Sequence, residues 1–81
     1  NDMEHRTIEL DVREDINNKL EPFQKIMEAI GELQMNDSLV LHAPFKPVPL
    51  YGVLKAKGFE HEVEKIEAKH YKITFTKTGG K

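Results

Sequence analysis

Hydrophobic positions change period several times along the chain, and each change marks an element. In TIELDVR, 7–13, Ile8, Leu10 and Val12 alternate with Thr7, Glu9, Asp11 and Arg13. A period of two with β-branched residues predicts a strand with one buried face. EDINNK, 14–19, breaks that alternation with Asp, Asn and charge, and reads as a loop. From Leu20 the period lengthens: Leu20, Phe23, Ile26, Met27, Ile30 and Leu33 share one stripe, opposite Gln24, Lys25, Glu28 and Glu32. That spacing predicts an amphipathic helix. Pro22 suits its first position, where a missing N–H costs nothing, and Gly31 with QMND closes it.

SLVLHA, 38–43, is a short apolar run between turn signals and predicts a strand buried on both faces. Leu50, Tyr51, Val53, Leu54 and Lys57 predict a second, shorter helix, and Gly58 stands where a left-handed cap is expected. Two alternating runs follow. FEHEVEK sets Phe59, His61 and Val63 against Glu60, Glu62 and Glu64, and HYKITFTK sets Tyr71, Ile73 and Phe75 against Lys72, Thr74 and Thr76. Pairing Val63 with Ile73 superposes the apolar sets and brings Glu64 opposite Lys72. It requires a loop of about five residues around 66–70.

The order is β-α-β-α-β-β. A strand–helix–strand unit favours a right-handed parallel crossover, and the last two strands favour an antiparallel hairpin. Because one face of strands 1, 3 and 4 is polar, both helices belong on the other. The fold class is therefore an α/β (α+β) two-layer sandwich: a mixed four-stranded sheet with two helices on one face. Residues 1–81 form a single domain, with an ordered core of about 7–77 and flexible ends.

Composition narrows the function classes. Of the 81 residues 38% are apolar and 32% charged, and the net charge is −2, so there is no concentrated basic face for nucleic acid. The absence of cysteine excludes disulfides, thiolate catalysis and cysteine metal sites in this chain. No apolar run approaches the roughly 20 residues that span a bilayer. No signal peptide opens the chain, so a cytoplasmic protein without membrane partners is expected.

The stretch HAPFKPVPLYGVL, 42–54, carries three of the four prolines and two of the six aromatics. It contains a Pro-x-x-Pro, Pro44 to Pro47, the signature of a proline-rich ligand. Its flanks argue otherwise: a strand ends at Ala43 and a helix begins near Pro47 or Val48, with Pro49 tolerated in the first turn. The prolines turn the chain sharply, leaving Phe45 as either a core plug or an exposed apolar tip.

No nucleophile elbow, phosphate loop or triad spacing is present, so no catalytic residue is assigned. Of the four histidines, His5 lies near an end and His42, His61 and His70 lack the i, i+4 or His-x-His spacing of metal sites. No metal site or cofactor is therefore expected. His61, on the inward face, reads as a core or edge histidine, and His42 stands at the end of a central strand. Ligands of open α/β sheets bind where parallel strands end and helices begin. That edge gathers Asp11, Arg13 and Glu21 from the first crossing and His42, Phe45, Lys46 and Tyr51 from the second, the candidate site for a ligand or partner. Arg13, Lys46 and two helix N-termini favour an anion there, while Glu14, Asp15 and Glu21 oppose it.

LDVR, EPF, LVL, APFKPVPLY, KGFEHE and the closing hairpin together resemble the TusA/SirA-like sulfur-carrier fold. More closely, they resemble a cysteine-free sister family known mainly as a domain of unknown function. Sulfur carriers have Cys-Pro-x-Pro where this chain reads Glu21-Pro22-Phe23-Gln24. A carboxylate cannot carry a persulfide, which needs a thiolate, so the resemblance implies the fold without the sulfur relay. A carboxylate before a helix is favoured by the macrodipole whether or not it has a function. The resemblance also implies an accessory module beside hemerythrin-like, cupin or metal–sulfur assembly domains, in redox, nitrogen-oxide or metal-centre metabolism. The expectation is a non-catalytic module that binds a partner protein or domain, or a small ligand. The alternatives are a sulfur-transfer or redox component acting without its own cysteine, and a small anion- or metal-binding protein.

Overall fold

A computed structural model of the chain describes residues 5–14 and 22–79. Its elements run β1 (Thr7–Asp11), α1 (Phe23–Gly31), β2 (Ser38–Ala43), α2 (Val48–Ala56), β3 (Phe59–Glu67) and β4 (His70–Lys77). This is the expected β-α-β-α-β-β order. The four strands form one mixed sheet in the order β1-β2-β4-β3. β1 runs parallel to β2, while β4 is antiparallel to both β2 and β3.

Register follows from keeping the apolar rows together. Ile8 pairs with Leu39 and Leu10 with Leu41; Leu39 then meets Phe75 and Leu41 meets Ile73; Ile73 meets Val63, with Glu64 opposite Lys72. A one-residue slip would move each row to the opposite face, so burial holds the register. Leu39, Leu41, Ala43, Ile73 and Phe75 share one core with Ile26, Ile30 and Leu33 after α1, Leu50 and Leu54 of α2, and Val12. Both helices therefore cover the same sheet face. Each fully buried Leu, Ile or Phe there contributes roughly 1.5–3 kcal/mol, a large share for a domain this small.

Several local expectations need correction. β2 is buried on one face: Leu39, Leu41 and Ala43 are buried, whereas Ser38, Val40 and His42 are half-buried. Among the described residues, neither α1 nor α2 lies over its outer side. The β3–β4 connection is a two-residue turn at Ala68 and Lys69, not a five-residue loop. Ile66 is an extra residue on β3, between the pairs Lys65–Tyr71 and Glu67–His70. Such a bulge shifts the face of every following residue, which ended the visible alternation early. Arg13 and Glu14 are already helical, where a loop is expected from Glu14. The rest of that segment, with Leu20 and Glu21, lies outside the described residues. α1 buries Ile26 and Ile30, but Phe23 in the same stripe is 46% exposed.

The end where β2 and β3 begin is closed by backbone. Asp37, 3% exposed, accepts hydrogen bonds from the backbone N–H of Arg6 and of Gln34, both at 2.8 Å. These two bonds hold its carboxyl below the usual range, the Arg6 bond most. Asn36, in the left-handed region at φ 72°, donates its N–H to the Lys77 carbonyl at 2.7 Å. Gly58, at φ 92°, ends α2 as expected and lies against Gly79, where a Cβ would come within 2.5 Å of the Gly79 carbonyl oxygen.

Candidate functional site

The opposite end is built from side chains. β1 and β2 finish there at Asp11 and Ala43, and α2 begins there at Val48 after Pro44–Pro47. α1 ends beside the start of β1, where Arg6 Nη2 lies 3.3 Å from Glu32 Oε1, so its first residue, Phe23, belongs to the strand-end edge. Three prolines in six residues, 44–49, fix φ through the connection. Pro47 precedes the helix and Pro49 occupies its first turn, as expected. Phe45 is not a core plug. It is 49% exposed, Val48 is 60% exposed, and Lys46 is exposed between them.

Asp11 and Arg13 lie beside this connection, but they serve each other. Arg13 Nε donates to Asp11 Oδ1 at 3.0 Å, Nη2 donates to Oδ2 at 2.7 Å, and the Arg13 backbone N–H also reaches Oδ1 at 3.0 Å. The side-chain bonds from Arg13 hold the Asp11 carboxyl well below the ordinary range, against a smaller opposing effect of partial burial. This pairing neutralises the guanidinium and uses two of its five N–H donors, Nε–H and one on Nη2. Asp11, Arg13, Glu14, Pro44 and Lys69 line an open cleft of about 480 Å³. Its lining mixes charges: the Asp11–Arg13 pair, the Glu14 carboxylate and the Lys69 ammonium.

His42 stands opposite Asp11 in the parallel register but turns to the open face of the sheet. Its Nε2–H donates to Glu9 Oε2 at 2.6 Å, and its Nδ1 lies 2.9 Å from His70 Nε2. One proton occupies that nitrogen–nitrogen gap, and the ring that carries it is the donor. Glu9 and His70 were missed by linear reading because they come from β1 and β4 and meet only across β2. Face parity could have placed Glu9, Asp11, His42 and His70 on the outer side once the register was known.

Tyr51 belongs elsewhere. Its ring stacks on His61, with centroids 4.0 Å apart and planes 16° apart, and both lean on Phe75. The phenol oxygen is buried without a hydrogen-bond partner among the described residues, and burial pushes its pKa up. Of the seven candidate residues, Asp11, Arg13, Phe45 and Lys46 stand at the edge and His42 borders it from the outer face. Tyr51 supports the core, and Glu21 lies outside the described residues.

Residues 9–77 match one family pattern, from the middle of β1 to the last residue of β4. The chain belongs to the family described as uncharacterized conserved protein (DUF2249). The matched span takes in both helices, the strand-end connection and all three members of the Glu9–His42–His70 chain, so in this DUF2249 protein the candidate site lies inside the family's own fold. No curated protein and no solved structure matches the chain. No helix among the described residues is long and apolar enough to cross a membrane.

Proposed function

We propose that this DUF2249 chain is a non-catalytic module that docks a partner protein, or a domain joined to it, at the strand-end edge. The observation that carries this reading is the water-exposed apolar set Phe23, Phe45 and Val48 at one end of the sheet. Single exposed hydrophobics are ordinary, whereas several at one edge beside charged groups mark an interaction surface. A core this small gains about 2 kcal/mol from each large side chain it buries, so leaving two phenylalanines in water forgoes stability the fold could use. The prolines pre-set the backbone that presents Phe45, which lowers the ordering cost of association. Phe45 and Val48 supply the apolar centre, Lys46 takes a carboxylate of the partner, and the Asp11–Arg13 pair forms a polar rim.

The β-α-β-α-β-β order, with Glu21-Pro22-Phe23-Gln24 at the entry to α1, supports a relationship to the TusA/SirA-like sulfur carriers. On that reading the edge once served a thiol and now serves a partner, in redox, nitrogen-oxide or metal-centre metabolism. Affinity capture from the native host tests the docking surface. Phe45→Ala and Val48→Ser should each release a partner that Glu62→Ala, on β3, retains. Equal retention by all three folded variants would remove the edge from consideration.

A further inference from the structure

We propose that His42 and His70 form a binding site for a first-row transition-metal ion of the Cu²⁺/Ni²⁺ class, on the sheet face opposite α1 and α2. The site does not depend on the docking reading. His42 Nδ1 and His70 Nε2 approach to 2.9 Å, with ring planes 53° apart. At metal–nitrogen distances of about 2.0–2.1 Å, two ligands at a right angle lie about 2.9 Å apart, and two at the tetrahedral angle about 3.3 Å. The strands thus already hold the two nitrogens at the spacing of neighbouring positions on a tetragonal ion. Only the rings must tilt, so that their lone pairs meet at the ion instead of sharing a proton. The ion takes that proton's place, and the neutral His70 ring changes tautomer to carry its N–H on Nδ1.

Glu9 completes the arrangement. It holds His42 Nε2 at 2.6 Å, which fixes the tautomer that leaves Nδ1 as the metal-facing atom. This is the outer-shell carboxylate that metal-ligating histidines usually have. The other charged groups on this face are mostly acidic: Lys72 stands between His42 and Glu64, Glu67 lies opposite His70, Glu60 and Glu62 lie further along β3, and Asp11 is neutralised by Arg13. No group of three His, Cys, Asp or Glu among the described residues could hold a metal. The protein therefore supplies two donors, water fills the other positions, and the ion exchanges readily.

The test is titration of the full chain with CuCl₂, NiCl₂ and ZnCl₂, followed by calorimetry and amide NMR, with Cu²⁺ electron paramagnetic resonance as a count of nitrogens. One ion per chain is expected, Cu²⁺ tightest, with two imidazole nitrogens in its spectrum and amide shifts centred on His42 and His70. His42→Gln and His70→Gln should each weaken Cu²⁺ by at least about 30-fold, and Glu9→Gln by about 10-fold. His61→Gln, on the opposite face, should stay within about twofold. Absence of saturable binding below millimolar Cu²⁺ would overturn the site, as would a spectrum with fewer than two imidazole nitrogens. Unchanged affinity in His42→Gln or His70→Gln would overturn it too. Wild-type affinity in Glu9→Gln would remove Glu9 from it.

Discussion

The two ends of the sheet use aspartate in opposite ways. Asp37, where β2 begins, is buried and binds two backbone N–H groups. Asp11, where β1 ends, is exposed and binds the side chain of Arg13. Around Asp37 the chain closes on itself through Asn36, Gly58, Gly79 and Lys77. Around Asp11 it presents phenylalanine, valine, lysine and proline to water. One end is fixed by backbone geometry that tolerates few side chains; the other is free to vary in chemistry because it holds little of the fold together. The docking surface sits at the end the fold can spare.

That contrast can be broken by substitution, and the closed end should respond most. Gly58→Ala combines a positive φ with a Cβ 2.5 Å from a carbonyl and should cost about 3 kcal/mol, read by urea unfolding. Gly31→Ala, with open space around it, should instead gain about 0.5–1 kcal/mol by stiffening the unfolded chain.

Asp37→Ala should come next, lowering Tm by on the order of 10 °C, because two backbone donors lose their acceptor. Its pH dependence has a definite sign. The folded pKa is depressed, so the stabilisation is fully present above the unfolded value of about 3.9 and is lost as pH falls through the folded one. Asp37→Asn should flatten the acid limb of a stability–pH curve as pH falls below the ordinary carboxylate range. A limb unchanged from wild type would deny Asp37 that role.

Smaller effects follow towards the exposed end. Tyr51→Phe removes a buried phenol oxygen with no partner among the described residues and should be neutral or stabilising by up to about 1 kcal/mol in thermal melts. A loss above that would mean the hydroxyl is bonded in solution. Asp11→Asn, despite the short contact to Arg13, should cost about 0–1 kcal/mol because both groups face water. Phe45→Ala should change stability by no more than about 0.5 kcal/mol.

Most of the architecture was legible because burial imposes periods on a sequence. The coincidence of FEHEV with YKITF set the hairpin register, and the prolines with Gly58 bounded α2. Distances across the sheet were not legible. Glu9, His42 and His70 lie on three strands, and nothing in their linear spacing of 33 and 28 residues reports that they touch. Asp37 read as part of a polar turn, since its backbone partners leave no mark on composition. Phe23 shared the helical stripe of Ile26 and Ile30 yet stays half in water, because a period gives the facing direction of a side chain, not how far the core extends along the helix. The candidate site was legible as a location, and its internal pairings were not.

The most direct measurement of edge docking is site-specific photocrosslinking in the native host. A photoreactive phenylalanine analogue would be placed at position 45 and, separately, at position 35, where Met35 is similarly exposed, at 51%, near the closed end. Docking at the strand-end edge predicts one discrete protein adduct from position 45 and none of that mass from position 35. The same adduct from both positions, or only from position 35, would contradict it.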